Sequence, residues 1–160
     1  MWWCARRAIA RQTCQVAQEF CDALEHSGQP RVRVVCCIGG INFAEQCRAL
    51  RPRDGGVHGV VATPGRLVDV LNKRIVSLSL CRYLVLDEAD VLIDMGFEDD
   101  IRAVMDHFDG QRQTLLFSAT MPLKIQQFAR SALVRPVEVN VGRAGAANLD
   151  VIQEVEYVKQ

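Results

Sequence analysis

The chain has 160 residues, of which 49% are hydrophobic and 24% are charged, and its formal net charge is zero. This composition is typical of one folded globular unit and excludes a mostly disordered chain. No apolar run approaches the ~18 residues of a membrane-spanning helix, and residues 1–4 are too short for a signal-peptide core, so we expect no export and no membrane partner.

Charge is divided unevenly along the chain. Residues 1–80 contain 11 Lys/Arg and 6 Asp/Glu, whereas residues 81–160 contain 8 and 13. A basic half favours an anionic partner. The seven cysteines include no Cys-x-x-Cys pair, and the three histidines are scattered. We therefore predict buried, reduced cysteines rather than disulfides or a zinc site.

Helical and strand patterns alternate through the first half. Apolar spacing predicts a helix over residues 9–24, which residues 27–30 end. A β-branched strand over 32–38 stops at two glycines, and a short helix over 43–50 follows. After a second strand over 57–62, Thr63 takes the N-cap position of a helix and Pro64 its first position.

The same alternation continues in the second half. A continuous apolar strand over 83–86 is typical of a parallel strand buried on both faces. We predict an amphipathic helix over 97–108, a buried strand over 114–117, a helix over 122–133 and a strand over 137–141. Residues 142–147 resemble a linker before another strand over 150–159. The pattern predicts an α/β fold, a parallel sheet flanked by helices.

An acidic segment follows the buried strand over 83–86. In open α/β sheets, ligands bind beyond the carboxyl ends of the strands, which is where Asp87, Glu88 and Asp90 fall. Carboxylates there suit Mg²⁺, and a second acid could orient an attacking water. A charged surface loop is the alternative for this motif taken alone.

Three further motifs also follow strands. Ser118-Ala119-Thr120 follows the strand over 114–117, and Gly39-Gly40 follows the strand over 32–38. The motif Thr63-Pro64-Gly65-Arg66 opens a helix, where free N–H groups, close backbone approach at glycine and an arginine charge favour a phosphate. Each motif alone is weak, but four at strand ends together indicate one site.

Residues 63–67, 87–90 and 118–120 resemble the motifs of DEAD-box ATP-dependent RNA helicases. Residues 93–97, 111–117 and 140–145 resemble the Abstrakt-type subgroup, and the resemblance runs from about Ala8 onward. It implies a RecA-like fold, with a first helicase domain over residues 1–140. Residues 141–160 would then be the linker and the first strand of a second domain.

The resemblance also implies roles for individual residues. With ATP and Mg²⁺ as cofactors, Asp87 would hold Mg²⁺ through water and Glu88 would position the hydrolytic water. Asp90 would link to Ser118 and Thr120, which couple hydrolysis to strand separation.

RNA would be gripped through its backbone, independently of sequence. The residues that the resemblance assigns to this contact are Gly39, Gly40, Thr63, Pro64, Gly65 and Arg66, together with Arg7 and Gln12. The resemblance further implies a nuclear or cytoplasmic enzyme, with spliceosomal or other RNA–protein complexes as partners.

The sequence departs from the family pattern in three ways. It contains no Gly-x-x-x-x-Gly-Lys-Thr phosphate loop. The segment 5–12 lacks the Thr and Glu of the family's RNA motif, and residues 1–4 look like an unrelated start. We therefore expect an incomplete sheet without its phosphate-loop strand, between the strand ending at Phe117 and the one over 137–141.

The alternatives to an active helicase follow from those departures. We expect an ATP-dependent RNA helicase fragment that is inactive alone. A non-catalytic RNA-binding or protein-interaction fragment is the rival, and a chain that does not fold stably alone is a third possibility.

Overall fold

A five-stranded parallel sheet organises the part of the chain that the computed structural model describes, which is residues 1–51, 56–142, 154 and 156–158. Its strands, in chain order, are β1 (Trp2–Cys4), β2 (Val34–Cys37), β3 (Gly59–Ala62), β4 (Tyr83–Asp87) and β5 (Gln113–Leu116). They lie in the order β2-β3-β1-β4-β5, and every pairing is parallel. The predicted α/β class is confirmed.

Helices connect consecutive strands, as parallel pairing requires. The connecting helices are α1 (Arg7–His26), α2 (Phe43–Leu50), α3 (Pro64–Asn72), α4 (Ala89–Asp94) and α5 (Glu98–Met105), and α6 (Leu123–Ala132) follows β5, the last strand that the structure describes. Five of these six helices agree with the predicted helices to within a few residues. The sixth, α4, has only six residues and was not predicted, because so short a segment shows no helical periodicity.

The first strand lies at the centre of the sheet, so the interpretation of residues 1–4 as an unrelated start was wrong. Trp3 pairs with Ala62 of β3 and with Leu86 of β4. Both Trp3 and Cys4 are fully buried. Three residues are too few to show strand alternation in a sequence, but the strand gains its backbone hydrogen bonds from neighbours on both sides.

Alternate strand residues enter two separate cores, one on each face of the sheet. On one face, Trp3 packs in the larger core with residues from α3, α5 and α6, including Leu67, Ile101 and Phe128. On the other face, Cys4 packs in a smaller core that includes Ala10 of α1. Helices therefore cover both faces of the sheet, and the ends of the strands remain open to solvent.

Strand β5 is an edge strand, and the prediction that it is buried was wrong. It pairs with β4 only and has no partner on its outer side among the described residues. As a result Leu115 is 37% exposed and the following Phe117 is 51% exposed. This open edge lies on the side where the sequence led us to expect a missing strand.

The strand predicted over residues 137–141 is absent. The segment has no regular structure, and Val137, Val139 and Val141 are exposed. A strand needs a hydrogen-bonded neighbour, and no described strand flanks this segment. The linker expected over 142–147 and the strand expected over 150–159 fall largely outside the described residues.

The helix α1 carries an exposed apolar stripe. Its predicted periodicity is confirmed, but Val16, Phe20 and Leu24 face solvent, and Phe20 is 69% exposed. Only Ala10 and Cys21 of this helix are buried. No helix within the described ranges is long and apolar enough to cross a membrane.

The seven cysteines are all free. The prediction that they are buried is confirmed for Cys4, Cys21, Cys37 and Cys47, whereas Cys14, Cys36 and Cys81 are only half-buried. Burial raises the pKa of both Cys36 and Cys37 to about 12. These thiols therefore behave as small apolar side chains at neutral pH.

Candidate RNA-backbone cleft and acidic site

The four predicted motifs meet at one edge of the sheet. Gly39 lies two residues after β2, Thr63 directly after β3, and Ser118 two residues after β5, while Asp87 is the last residue of β4. Since all strands are parallel, their carboxyl ends share this edge. The strand order brings the ends of β2 and β3 together on one side of β1 and those of β4 and β5 on the other.

An open cleft of about 490 Å³ lies beside the ends of β1 and β3. Six residues predicted to contact RNA line it: Arg7, Gly39, Thr63, Pro64, Gly65 and Arg66. Gln12 is exposed on α1 and is not among the lining residues. The cleft is also lined by four residues that the sequence did not indicate, Ala5, Arg6, Met95 and Phe97.

The guanidinium of Arg7 lies over the two glycines. A side chain added at Gly40 would place its Cβ 2.6 Å from Nη1 of Arg7, and one at Gly39 would lie 3.6 Å from Nη2. Gly40 also has a φ of +80°, a conformation that residues with a Cβ rarely adopt. The Arg7 guanidinium makes no hydrogen bond or ion pair with any residue that the structure describes, and Arg7 is among the residues that line the cleft.

Arg66, by contrast, donates hydrogen bonds to other residues of the protein. Its Nη1 donates to the carbonyl of Ile41 at 3.1 Å and to Oε1 of Gln46 at 2.9 Å. Its guanidinium also lies over the ring of Phe43, 5.3 Å from the centroid. The buried Gln46 in turn donates to the carbonyl of Ile38 at 2.8 Å. Arg66 therefore braces the loop that holds the two glycines.

The start of α3 forms one wall of the cleft. Thr63 takes the predicted N-cap position and Pro64 the first helical position. The Thr63 side chain makes no capping hydrogen bond. The first amides of α3 therefore lack the usual side-chain acceptor, and such a helix start attracts anions through its N–H groups and dipole.

The acids Asp87 and Glu88 are both held by residues at the start of the chain. Asp87 accepts the indole N–H of Trp2 at Oδ2, 3.2 Å away, and the amide of Glu88 at Oδ1, 3.0 Å away. Glu88 has a φ of +51° and pairs with Arg6 through both oxygens, at 2.8 and 3.3 Å. This hydrogen-bonded carboxylate raises the pKa of the Arg6 guanidinium.

Asp90 joins α4 to the turn after β5. Its Oδ2 accepts the hydroxyl of Thr120 at 2.8 Å and the amide of Thr120 at 3.0 Å. The Asp90 amide donates to the Ser118 hydroxyl, which itself donates to the Thr120 carbonyl. Burial alone would raise the pKa of Asp90, but hydrogen bonds from Thr120 and the Val91 amide outweigh it and lower that pKa.

The donor set at Asp87 fits a magnesium ion that keeps most of its waters. Both oxygens already accept one hydrogen bond each, which leaves lone pairs for water-mediated contact. Among the described residues, no group of three or more His, Cys, Asp or Glu could hold a metal by itself. Such an ion would therefore have to be shared with the phosphates of a nucleotide.

Sequence reasoning missed Arg6 and Trp2 because it missed β1. Once residues 2–4 are recognised as a central strand, Arg6 lies just beyond its carboxyl end, where ligand-binding residues are expected. The apolar Met95 and Phe97 carry no comparable signal, because nothing in a sequence distinguishes a cleft wall from a core position.

The family model described as "DEAD/DEAH box helicase" matches residues 3–128 of the chain. The chain is 65% identical over 157 residues to DEAD-box ATP-dependent RNA helicase 35 of Arabidopsis thaliana. It is 57% identical over the same length to the ATP-dependent RNA helicase abstrakt of Drosophila melanogaster. Each match covers 98% of this chain but only about a quarter of the relative.

A solved structure is also similar. The yeast DEAD-box splicing factor Prp28 superposes with a TM-score of 0.78 and 30% sequence identity, over 89% of this chain and 33% of that one. The family match begins at residue 3. It therefore includes most of β1, in agreement with the central position of that strand in the sheet.

Proposed function

Because the chain belongs to the DEAD/DEAH box helicase family, we propose that it supplies the RNA-backbone cleft and the acidic residues of an ATP-dependent RNA helicase. The observation that carries this proposal is the convergence of Arg7, Gly39 and residues 63–66 on one open cleft. The chain spans about a quarter of the length of its curated relatives. ATP-driven unwinding or remodelling of RNA is therefore proposed for the whole protein.

The cleft is suited to phosphate rather than to bases. It offers helix N–H groups from α3 and the guanidinium donors of Arg7, and neither group distinguishes one base from another. Phosphate contacts position a protein on nucleic acid without reading sequence. We therefore infer binding to single-stranded RNA that is independent of sequence and sensitive to salt.

The acidic side is proposed to take part in ATP hydrolysis. Asp87 would hold Mg²⁺ through water, and the carboxylate of Glu88 would orient the attacking water. Mg²⁺, when bound, neutralises charge that develops on the transferring phosphate. The bonds between Asp90 and Thr120 support the proposal that changes at the acidic site reach the turn after β5.

The absent phosphate loop favours a second candidate. The 160 residues contain no Gly-x-x-x-x-Gly-Lys-Thr segment, the loop type that cradles the β- and γ-phosphates in phosphate-loop enzymes. The cleft does not depend on that loop. A non-catalytic RNA-binding role for this chain is therefore the alternative function.

The partners are proposed from the relatives. Prp28 is described as a splicing factor, which supports RNA–protein complexes as partners and the nucleus as a location for the whole protein. Immunofluorescence of the full-length protein, with co-precipitation before and after ribonuclease treatment, tests both points. Cytoplasmic staining with no RNA-dependent partner would contradict them.

RNA binding tests the proposed function directly. We expect the chain to bind two unrelated single-stranded RNAs with equal affinity in fluorescence anisotropy, and to weaken as salt rises. Arg7→Ala should weaken binding to both RNAs, whereas Arg11→Ala, on the exposed next turn of α1 and outside the cleft, should not. Absence of RNA binding by the unmodified chain, or loss confined to one RNA sequence, would contradict the proposal.

A further inference from the structure

Arg6 lies between the cleft and the acidic site and contacts both. It lines the cleft beside Arg7 and Thr63. It also forms a two-point ion pair with Glu88, from Nη2 to Oε1 at 2.8 Å and from Nε to Oε2 at 3.3 Å. Its guanidinium can turn either to that carboxylate or to an anion in the cleft.

Glu88 is oriented toward Arg6 by its own backbone. It occupies the N-cap position of α4 in a left-handed conformation, and its side chain does not cap the helix. Its backbone amide donates to Asp87. The carboxylate accepts no hydrogen bond from a helix amide. It pairs instead with Arg6, and this is the one ion pair that Glu88 forms among the described residues.

The ion pair is well shaped but exposed. The side chain of Arg6 is 58% exposed and that of Glu88 is 27% exposed. Ion pairs in contact with water are weak, because solvent screens them and ordering two side chains costs entropy. A phosphate offers a guanidinium the same two-point geometry as a carboxylate. A phosphate in the cleft can therefore replace Glu88 as the partner of Arg6.

The other cleft arginines cannot make this exchange. Arg66 is held by Ile41 and Gln46, and the guanidinium of Arg7 lies over Gly39 and Gly40. Neither forms an ion pair with an acid among the residues that the structure describes. Within the described ranges, Arg6 is the one cleft arginine that pairs with an acid at the end of β4.

We propose that Arg6 is a further phosphate-binding residue of the RNA cleft, and that it binds RNA only by leaving Glu88, so that RNA binding releases this carboxylate. The inference rests on the proposed function, since it assumes that the cleft takes RNA. It assigns a role to a residue where the family's RNA motif has Thr instead. In this chain, RNA and Glu88 compete for one guanidinium.

Competition predicts opposite effects at the two ends of the pair. Arg6→Ala removes a phosphate contact, so it should weaken binding of an oligo(U) RNA and reduce the salt slope by about 0.7. Glu88→Gln frees Arg6, so it should tighten binding about two- to fivefold, the range that exposed ion pairs allow. Arg6→Lys should restore part of the affinity but not the two-point contact.

The double variant separates competition from a general charge effect. In Arg6→Ala protein, the additional change Glu88→Gln should no longer tighten binding, because the competing guanidinium is gone. Glu25→Gln is the matched control, since it also breaks a Glu–Arg pair and removes one negative charge. Glu25 lies about 27 Å from Arg7 along α1 and should leave the affinity unchanged.

The outcomes distinguish this inference from the proposed function. Fluorescence anisotropy of the 160-residue chain gives the affinities, and circular dichroism melts identify any variant that is unfolded. If the unmodified chain does not bind RNA, both proposals fail. If it binds RNA but Glu88→Gln does not tighten binding, or tightens it equally without Arg6, only the exchange is overturned. If a variant does not fold, the exchange is tested instead by the NMR signal of the Arg6 Nε–H in the unmodified chain. We expect this signal to shift when RNA is added. An unchanged signal would overturn the exchange.

Discussion

At Gly40, the free-energy cost of adding one methyl group can be calculated from the backbone conformation. Its φ of +80° disfavours any residue with a Cβ, by roughly 1–2 kcal/mol. The added Cβ would also lie 2.6 Å from Nη1 of Arg7. That atom ends a flexible side chain, so we expect the guanidinium to move and the backbone strain to remain.

We therefore expect Gly40→Ala to lower the melting temperature by a few degrees, at about 2–4 °C per kcal/mol for a chain of this size. It should also weaken RNA binding, because Arg7 leaves its place over the glycines. Gly39→Ala is the matched control, since its Cβ meets Arg7 at an ordinary 3.6 Å. Equal melting curves for the two variants would disprove the backbone strain predicted at Gly40.

Asp90 shows how a buried carboxylate connects two elements. It accepts hydrogen bonds from both the hydroxyl and the amide of Thr120, so α4 is tied to the turn after β5. Its pKa is lowered despite burial. A carboxyl group with a lowered folded pKa stabilises the fold above its unfolded pKa of about 3.9, and this contribution is lost as the pH falls through the folded value.

We expect Asp90→Asn to lower the free energy of unfolding by about 1–3 kcal/mol at pH 7. The difference from the unmodified chain should shrink as the pH falls from 5 toward 3. Urea unfolding across this range measures it. Asp94→Asn, on the exposed side of the same helix, should have little effect. A difference that stays constant down to pH 3 would rule out the ionised Asp90 as its source.

The open edge of β5 affects how copies of the chain interact. An unpaired strand edge with apolar side chains is a template for pairing with another strand. We expect the chain to self-associate, and Leu115→Lys to increase the monomer fraction by placing a charge on this edge. Leu80→Lys, at an exposed residue outside the sheet, is the control. Light scattering that finds a monomer without any substitution would contradict this prediction.

Elements with strong local signals could be predicted from the sequence. The apolar spacing of Leu67, Val70 and Leu71 and the Thr-Pro start were sufficient to predict α3. Because the carboxyl ends of parallel strands lie at the same end of a sheet, the sequence was also sufficient to predict that Gly39, Thr63 and Asp87 lie at that end. What could not be predicted depends on non-local pairing: β1 is too short to show a pattern, and residues 137–141 show strand alternation without a strand to pair with.

The site was predicted in its residue types and in the link from Asp90 to Thr120, but not in the contacts of its arginines. Arg66 has the sequence context of a phosphate ligand, yet its Nη1 is used by Ile41 and Gln46. Arg6 seemed only a departure from a motif, yet it bridges the cleft and Glu88. Sequence gives no distance between residues 82 positions apart, so the pairing of Arg6 with Glu88 required the folded chain.

At the scale of the whole molecule, the proposed hydrolysis of ATP depends on groups that hold the β- and γ-phosphates. Asp87 and Glu88 are the residues proposed to hold an ion and a water, but the 160 residues include no Gly-x-x-x-x-Gly-Lys-Thr phosphate loop. We expect no RNA-stimulated release of phosphate from ATP above background, measured by malachite green with excess RNA. Turnover by the unmodified chain that Glu88→Gln abolishes would contradict this prediction.

The central position of β1 has a consequence for how the molecule folds. The chain has two tryptophans, and both lie in this strand, Trp3 fully buried and Trp2 at the surface. Residues of β1 meet β4 across about 80 positions, as in the bond from the Met1 amine to the Tyr83 carbonyl, 82 residues away. Closing so long a loop is slow compared with forming a helix. Intrinsic tryptophan fluorescence therefore reports the slow assembly of the sheet centre, while far-ultraviolet circular dichroism detects helices that can form earlier.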